Sequence, residues 1–190
     1  MTKLTVITPP AEAPVTLAAA KDFLRIGHDG EDALVLRLIE SAQARIEQAA
    51  GLALIVQTLR LDWPAWPATL AGRGVLLPRR PARALVSVVC VSATGDPADQ
   101  TDRFRLDCGR LGLRPWSRPP AIENGGRVEV TYQAGYGAAS DVPEDLQEAL
   151  LRLAGSLYSA RAPGAFDLSA GGALPEEVRA ILQARREVRL

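Results

Sequence analysis

Hydrophobic positions along this chain change period twice, marking out helix, then strand, then helix again. The first helical stretch is Leu17-Ala18-Ala19-Ala20-Lys21-Asp22-Phe23-Leu24-Arg25-Ile26, of high helix propensity, with Leu17, Ala20 and Leu24 on one face. Thr16 is placed to cap it and Gly27-His28-Asp29-Gly30 to end it. Asp29 then reads as the N-cap of a second helix, with Asp32 reaching back as a shortened capping box. Val35, Leu38, Ile39, Ala42, Ile46 and Ala49 recur at helical spacing as far as Ala50, where Gly51 supplies a left-handed stop. The two helices predict an αα-hairpin.

From Leu54 the pattern alternates. Ile55, Gln57, Leu59, Leu61 and Trp63 face one way, and Val56, Thr58, Arg60 and Asp62 the other. Trp63-Pro64-Ala65-Trp66-Pro67 ends this strand, because proline cannot donate to a ladder. Further short strands are expected at 75–77, 85–92, 104–106, 111–113 and 127–132. Pro78, Pro81, Thr94-Gly95-Asp96-Pro97 and Asn124-Gly125-Gly126 separate them, a spacing that predicts an antiparallel β-module.

The last change of period follows Gly135-Tyr136-Gly137 and Asp141-Val142-Pro143-Glu144-Asp145. Pro143 suits a first helical position, where its missing N–H is no loss, and the acids suit the positive end of the helix dipole. Leu146, Ala149, Leu150, Leu153, Ala154, Leu157 and Tyr158 then form one apolar stripe. Burying its large members is worth about 7–15 kcal/mol as an upper bound, comparable to the net stability of a domain. This helix is therefore expected at the centre of the core, packed on the Val35–Ala49 stripe. The β-module becomes an excursion between two helical ends. The passage from strand through glycines to helix reads as a joint that sets one structural piece against another, which points toward assembly.

The ends of the chain are weaker. Residues 1–15 are proline-rich and poorly patterned, and read as an arm. Residues 163–173 include Pro163-Gly164 and Ala170-Gly171-Gly172, a flexible link. Pro175-Glu176-Glu177 opens a short last helix with Val178, Ile181 and Leu182 on one face and Arg185, Arg186 and Arg189 near its negative end. So small an apolar face anchors itself poorly. It either docks on its own domain or is kept for a partner.

Composition adds limits. At 190 residues with 47% hydrophobic side chains, one domain with an inserted module is expected. Aromatics are only 5%, so the core is built from Ala, Leu and Val. No run approaches the ~20 apolar residues of a membrane span, and the start of the chain lacks the features of a signal peptide. Cys90 and Cys108 read as two reduced structural thiols, though spacing alone leaves a disulfide open. Net charge is zero, but residues 1–72 hold six basic and eight acidic side chains, residues 73–127 ten and five, and residues 128–190 six and nine. The middle is therefore basic and both flanks acidic.

Candidate chemistry is sparse. The single His28 lies in a helix–helix turn without a second ligand beside it. No nucleophile elbow, metalloprotease, phosphate-loop or paired-cysteine motif occurs, so no catalytic, metal or cofactor residues are expected and an enzyme is set aside. Asp29, Glu31 and Asp32, and likewise Asp141, Glu144 and Asp145, are explained by helix starts. Arg79-Arg80-Pro81-Ala82-Arg83 has two readings: a phosphate-facing basic loop, or a solvated loop with local ion pairs. Trp63, Trp66 and Trp116 lie beside prolines, either closing the end of a small β core or exposed as interface anchors.

Several of these pieces together resemble the head–tail connector, or adaptor, proteins of tailed phages. Val15–Ile26 followed by Asp29-Gly30-Glu31-Asp32-Ala33-Leu34 is similar to the family's opening, as is Ala44-Arg45-Ile46-Glu47 running to Gly51-Leu52-Ala53-Leu54. The strand, glycine turn and Asp141-Val142-Pro143 helix start resemble its later hallmark. The likeness spans 14–161 and lies in order and spacing more than in any unique signature. Its Ala- and Arg-rich style looks nearest to the versions carried by gene transfer agents, which are phage-like particles of bacteria.

The resemblance implies an α+β fold, a helical core with an inserted antiparallel β-module; the terminal helical arm from Leu174 onward falls outside the likeness and is our own reading. The corresponding division is an arm at 1–15, a connector domain at 16–161 (hairpin 16–51, β-module 54–132, helix 143–161) and a link with helix at 163–190. It implies a structural ring, usually dodecameric, in the neck of a particle assembled in the bacterial cytoplasm. The ring would sit beneath the portal protein, extend the DNA channel and receive the next connector, stopper or tail component. DNA would be met only non-specifically, and no membrane or cofactor is implied. Val178, Ile181, Leu182, Arg185 and Arg186 are our candidates for portal binding. Arg79, Arg80 and Arg83 are candidates for a channel-facing or inter-subunit surface. The rival reading is a DNA-binding regulator that uses the Arg79–Arg83 loop.

Overall fold

Residues of helical periodicity gather in one unit, Glu12–Ile55 with Gly137–Leu190, and alternating residues in another, Met1–Ala11 with Val56–Tyr136. The structure is a computed structural model that describes residues 2–160 and 174–185. The expected link at 163–173, together with Arg186 and Arg189, lies outside the described residues.

The helical unit contains α1 (Leu17–Leu24), α2 (Asp32–Ala50), α3 (Glu144–Ser159) and α4 (Glu176–Ala184). Thr16 caps α1 as expected, its Oγ1 accepting the Ala19 N–H at 3.1 Å. The stop comes earlier than Gly27. Arg25 takes the left-handed conformation at φ 57°, and the Ile26 N–H reaches back to the Lys21 carbonyl at 3.0 Å, as in a Schellman closure. The expected capping box of α2 is not formed. Its N-cap is Glu31 without a side-chain cap, and the Asp29 and Asp32 carboxylates accept from Lys21 Nζ at 2.6 and 2.7 Å. A charged ammonium from the preceding helix is a stronger partner than a backbone N–H. Gly51, at φ 65°, ends α2 where the periodicity places the stop.

Val35, Ile39, Ala42 and Ile46 of α2 are buried, as are Leu146, Ala149, Leu150, Leu153 and Ala154 of α3, and the two helices pack together. Leu38 is half-buried and Ala49 exposed, so the α2 stripe is narrower than its spacing indicates. Gly155 lets α1 come close to α3: a Cβ there would lie 3.4 Å from Phe23 Cε1 and 3.5 Å from Leu24 Cδ2. The buried Glu47 accepts from the Leu54 N–H at 2.9 Å and from Gln43 Nε2 at 3.1 Å. That bond takes Leu54 out of the strand expected to begin there.

The sheet unit holds β1 (Lys3–Thr8), β2 (Gln57–Trp63), β3 (Val75–Leu76), β4 (Ala82–Val91), β5 (Pro97–Asp99), β6 (Phe104–Asp107), β7 (Arg110–Leu113) and β8 (Arg127–Ala134). One sheet has the order β1-β2-β8-β4-β5 and the other β3-β7-β6, all antiparallel. Leu59, Leu61, Trp63, Val88, Val128, Val130 and Tyr132 are buried along the first sheet. The opposite face carries the ionic row Asp62, Arg60, Glu129 and Arg127.

The arm expected at 1–15 is corrected here. Lys3–Thr8 is an edge strand paired with β2, Val6 opposite Leu59 and Leu4 opposite Leu61. Its β-branched residues favour a strand, but an edge strand with most side chains exposed leaves little burial alternation to read. The strand β5 was missed for the same reason, all its side chains being exposed. Cys108 is not a buried thiol. It is exposed at φ 45° beside Gly109 at φ 72°, and the two make the tight turn joining β6 to β7. Cys90 is half-buried, and burial pushes its thiol above the ordinary range.

Candidate assembly surfaces

Within the helical unit the last helix lies on its own domain. Val178 and Leu182 are buried, Ile181 is half-buried, and α4 packs on α3 and α2. Ion pairs hold both ends. Arg152 of α3 takes Glu148 at 2.7 Å and also Glu177 of α4, and these two carboxylates raise its pKa. Arg185 forms a two-pronged pair with Asp145, Nε to Oδ2 at 2.9 Å and Nη2 to Oδ1 at 2.7 Å. Arg179 bonds Glu176 at 2.9 Å. Of the portal-facing candidates, Val178, Ile181, Leu182 and Arg185 are therefore engaged inside the unit, and Arg186 lies outside the described residues.

The acidic residues at the start of α2 serve local structure. Asp29 and Asp32 share Lys21, which lowers the pKa of Asp29. Glu31 Oε2 accepts from the Tyr158 hydroxyl at 2.6 Å, tying α3 to the N-cap of α2. Asp141 accepts from the Ala138 N–H at 3.0 Å in a short turn ahead of α3, and Gln147 Nε2 donates to the Val142 carbonyl at 2.9 Å. Pro143 stands at the N-cap, one position before the expected one.

On the sheet unit, Arg83 is drawn to the end of β8, where its Nη1 donates to the Tyr136 carbonyl at 2.7 Å. The Gly135 N–H, from a residue at φ 125°, donates to the Pro81 carbonyl at 2.9 Å. Arg79 and Arg80, both half-buried with polar partners, sit just before β4. The basic loop is thus partly spent on holding the end of a strand. Tyr132, buried beneath it, donates to the Pro78 carbonyl at 2.5 Å; burial raises its phenol pKa, with Arg79 opposing the shift.

A second basic group escaped the sequence. Arg73, Arg105 and Arg110 line one open cleft of about 200 Å³ with Asp107, Cys108 and Leu70. They are far apart in the chain, and only the pairing of β7 with both β3 and β6 brings them together. The tryptophans divide. Trp63 is buried; Trp66 stacks on Phe104 at 5.1 Å and donates to the Pro120 carbonyl at 2.7 Å; Trp116 is fully exposed. Two close the β core and one does not.

Residues 14–90 match the phage gp6-like head–tail connector protein family. No curated protein matches the chain. Among solved structures, a chain from the neck of an empty gene transfer agent particle, computed with C6 symmetry, is 32% identical at a TM-score of 0.81, over 99% of this chain and 97% of that one. A chain from the virion of a native gene transfer agent particle is 32% identical at 0.80, over 98% and 96%. One from the neck of a native particle, computed with C12 symmetry, is 31% identical at 0.79, over 99% and 97%.

Proposed function

Because this chain belongs to the phage gp6-like head–tail connector family, we propose that it is a ring-forming adaptor of a particle neck, seated between the portal and the tail-side components. The family gives the broader statement directly: the protein is a structural head–tail connector of a phage-like particle. One observation carries it. The likeness to gene transfer agent neck chains runs over essentially the whole length of both chains at 32% identity. The C6 and C12 symmetries of the related necks support a ring, and a dodecamer fits both.

The portal is the proposed upstream partner and α4 its contact. In this reading Val178, Ile181 and Leu182 exchange α3 for the portal, with Arg185 and Arg186 beside them. The two fully packed residues cost at most about 3–6 kcal/mol to release, which a portal surface of ordinary size can repay. Arg79, Arg80 and Arg83 are proposed to lie toward the channel or a neighbouring copy, supported by the basic balance of residues 73–127. No observation favours the DNA-binding regulator.

Mass measurement of the protein co-expressed with its portal tests the ring: a portal-bound multimer is expected, and a strictly monomeric product in that mixture overturns the reading. Removing residues 174–190 tests the contact. The shortened chain should fold yet fail to join heads, and normal assembly would exclude α4 as the portal-binding element.

A further inference from the structure

The outer face of the small sheet is built around a gap. Arg105 of β6 stands directly opposite Gly112 of β7, and Asp107 opposite Arg110. Strand side chains alternate, so these four positions share one face, while Phe104 and Leu111 are buried on the other. Gly112 leaves its place empty: a Cβ there would have nothing within 4 Å, and its φ is not positive. On the other side of β7 the turn ahead of β3 comes close. A Cβ on Gly74, at φ 75°, would lie 2.8 Å from the Leu111 carbonyl oxygen, so glycine lets this turn bring Arg73 to the same cleft. Gly72, Gly74 and Gly112 line the cleft together with the three arginines.

Its charge is not cancelled nearby. Asp107 is the one acid in the lining against Arg73, Arg105 and Arg110, all exposed, and none of the four forms an ion pair among the described residues. Asp102 and Arg103, just before β6, offset each other, and Arg114, just after β7, turns its Nε to the Phe104 carbonyl at 3.0 Å. The larger sheet shows the contrast, since Arg60 and Arg127 on its outer face are matched by Asp62 and Glu129. The lining also selects the ligand. Protein interfaces centre on apolar side chains and keep charge at the rim. None of the exposed large hydrophobic residues lines this cleft; of its two leucines, Leu70 is buried and Leu113 half-buried. Guanidinium groups around bare glycine backbone suit phosphate instead, whose oxygens they bind in pairs.

We propose that the Arg73–Arg105–Arg110 cleft binds the phosphodiester backbone of DNA, without regard to sequence, and is the surface each copy turns to the DNA in the channel. This inference rests on the connector reading above, which brings DNA to the chain. The test titrates the full chain, alone, against two labelled duplexes of unrelated sequence, read by fluorescence anisotropy. Both should bind alike at low salt and weaken as salt rises. Arg105→Gln and Arg110→Gln should each lower the salt slope by about 1 and weaken binding about tenfold; Arg118→Gln, which removes an exposed arginine outside the cleft, should weaken it less than about twofold. Gly112→Glu, for which there is open space, should abolish binding while leaving the circular dichroism spectrum and melting temperature unchanged, and Gly112→Gln should keep most of the binding. A wild type that binds neither duplex at low salt overturns the proposal, as do equal losses from Arg110→Gln and Arg118→Gln. So does retention of inorganic phosphate without duplex binding, which would make this a small-anion site. Gly112→Glu that binds duplex normally yet no longer assembles on the portal would assign the cleft to a neighbouring protein and also overturn it. The connector reading fails on a different measurement, a strictly monomeric product beside the portal, so the two can fall separately.

Discussion

The two units spend their polar side chains differently. In the helical unit ion pairs tie one helix to the next: Lys21 to Asp29 and Asp32, Arg152 to Glu177, Arg185 to Asp145. In the sheet unit Arg73, Arg105 and Arg110 form no ion pair among the described residues, and Trp116 stands in water. The cores differ too. Ala, Leu and Ile fill the helical unit, while Tyr132, Phe104 and Trp63 lie buried in the sheet unit. The units differ in what they leave over: the helical pairs join neighbouring helices, whereas the sheet unit leaves Arg73, Arg105, Arg110 and Trp116 exposed.

The largest effect should come from the helical core. Leu150 is fully buried on α3, so Leu150→Ala should cost about 2–5 kcal/mol. All three tryptophans lie in the sheet unit, which makes their fluorescence a reporter of that unit alone. In urea, the helical circular dichroism midpoint should fall more than the fluorescence midpoint. Equal falls would show that the units melt as one. Next in size is Glu47→Ala, which strips the buried Leu54 N–H of its acceptor and should cost about 1–3 kcal/mol. Glu47→Gln keeps an oxygen there and should cost clearly less in the same melt.

Legibility in the sequence divides along the same line. Local signals were enough for the helices. The Val35–Ile46 spacing, Thr16 as cap, Gly51 as stop and the α3 stripe all act within a few residues, and each is present. The capping box expected at α2 is absent because Lys21, eleven residues before Asp32, takes its carboxylate instead. The sheet unit hid whatever depends on distant pairing. The partner of β1 begins at Gln57, so the strand passed for an arm. The Arg73–Arg105–Arg110 cleft exists only after three short strands align. Trp116 was legible as a residue beside proline, but which tryptophans close the core depends on distant packing: Trp66 stacks on Phe104 and Trp116 stands in water.

Two smaller effects sharpen the contrast through pH. Tyr132→Phe removes the bond to the Pro78 carbonyl and should cost about 1 kcal/mol near neutrality. The folded phenol has a raised pKa, so the buried neutral form contributes stability that is complete below the ordinary value of about 10 and is lost as pH rises through the folded value. The wild type should therefore lose its advantage over Tyr132→Phe in strong alkali, read as urea midpoints converging. The Lys21 pair behaves differently. Lys21 is raised and Asp29 lowered, each chiefly by the hydrogen bond between them. Their contribution is thus present between the ordinary carboxylate and ammonium ranges, and it is lost on acidification and again in alkali. Because the Asp29 side chain is 93% exposed, solvent and salt screen most of it. Lys21→Met should lower the melting temperature only slightly at neutral pH, and less still in 1 M salt. A large, salt-insensitive loss would mean that this ion pair positions α1 against α2, placing charge rather than apolar packing at the head of the hairpin.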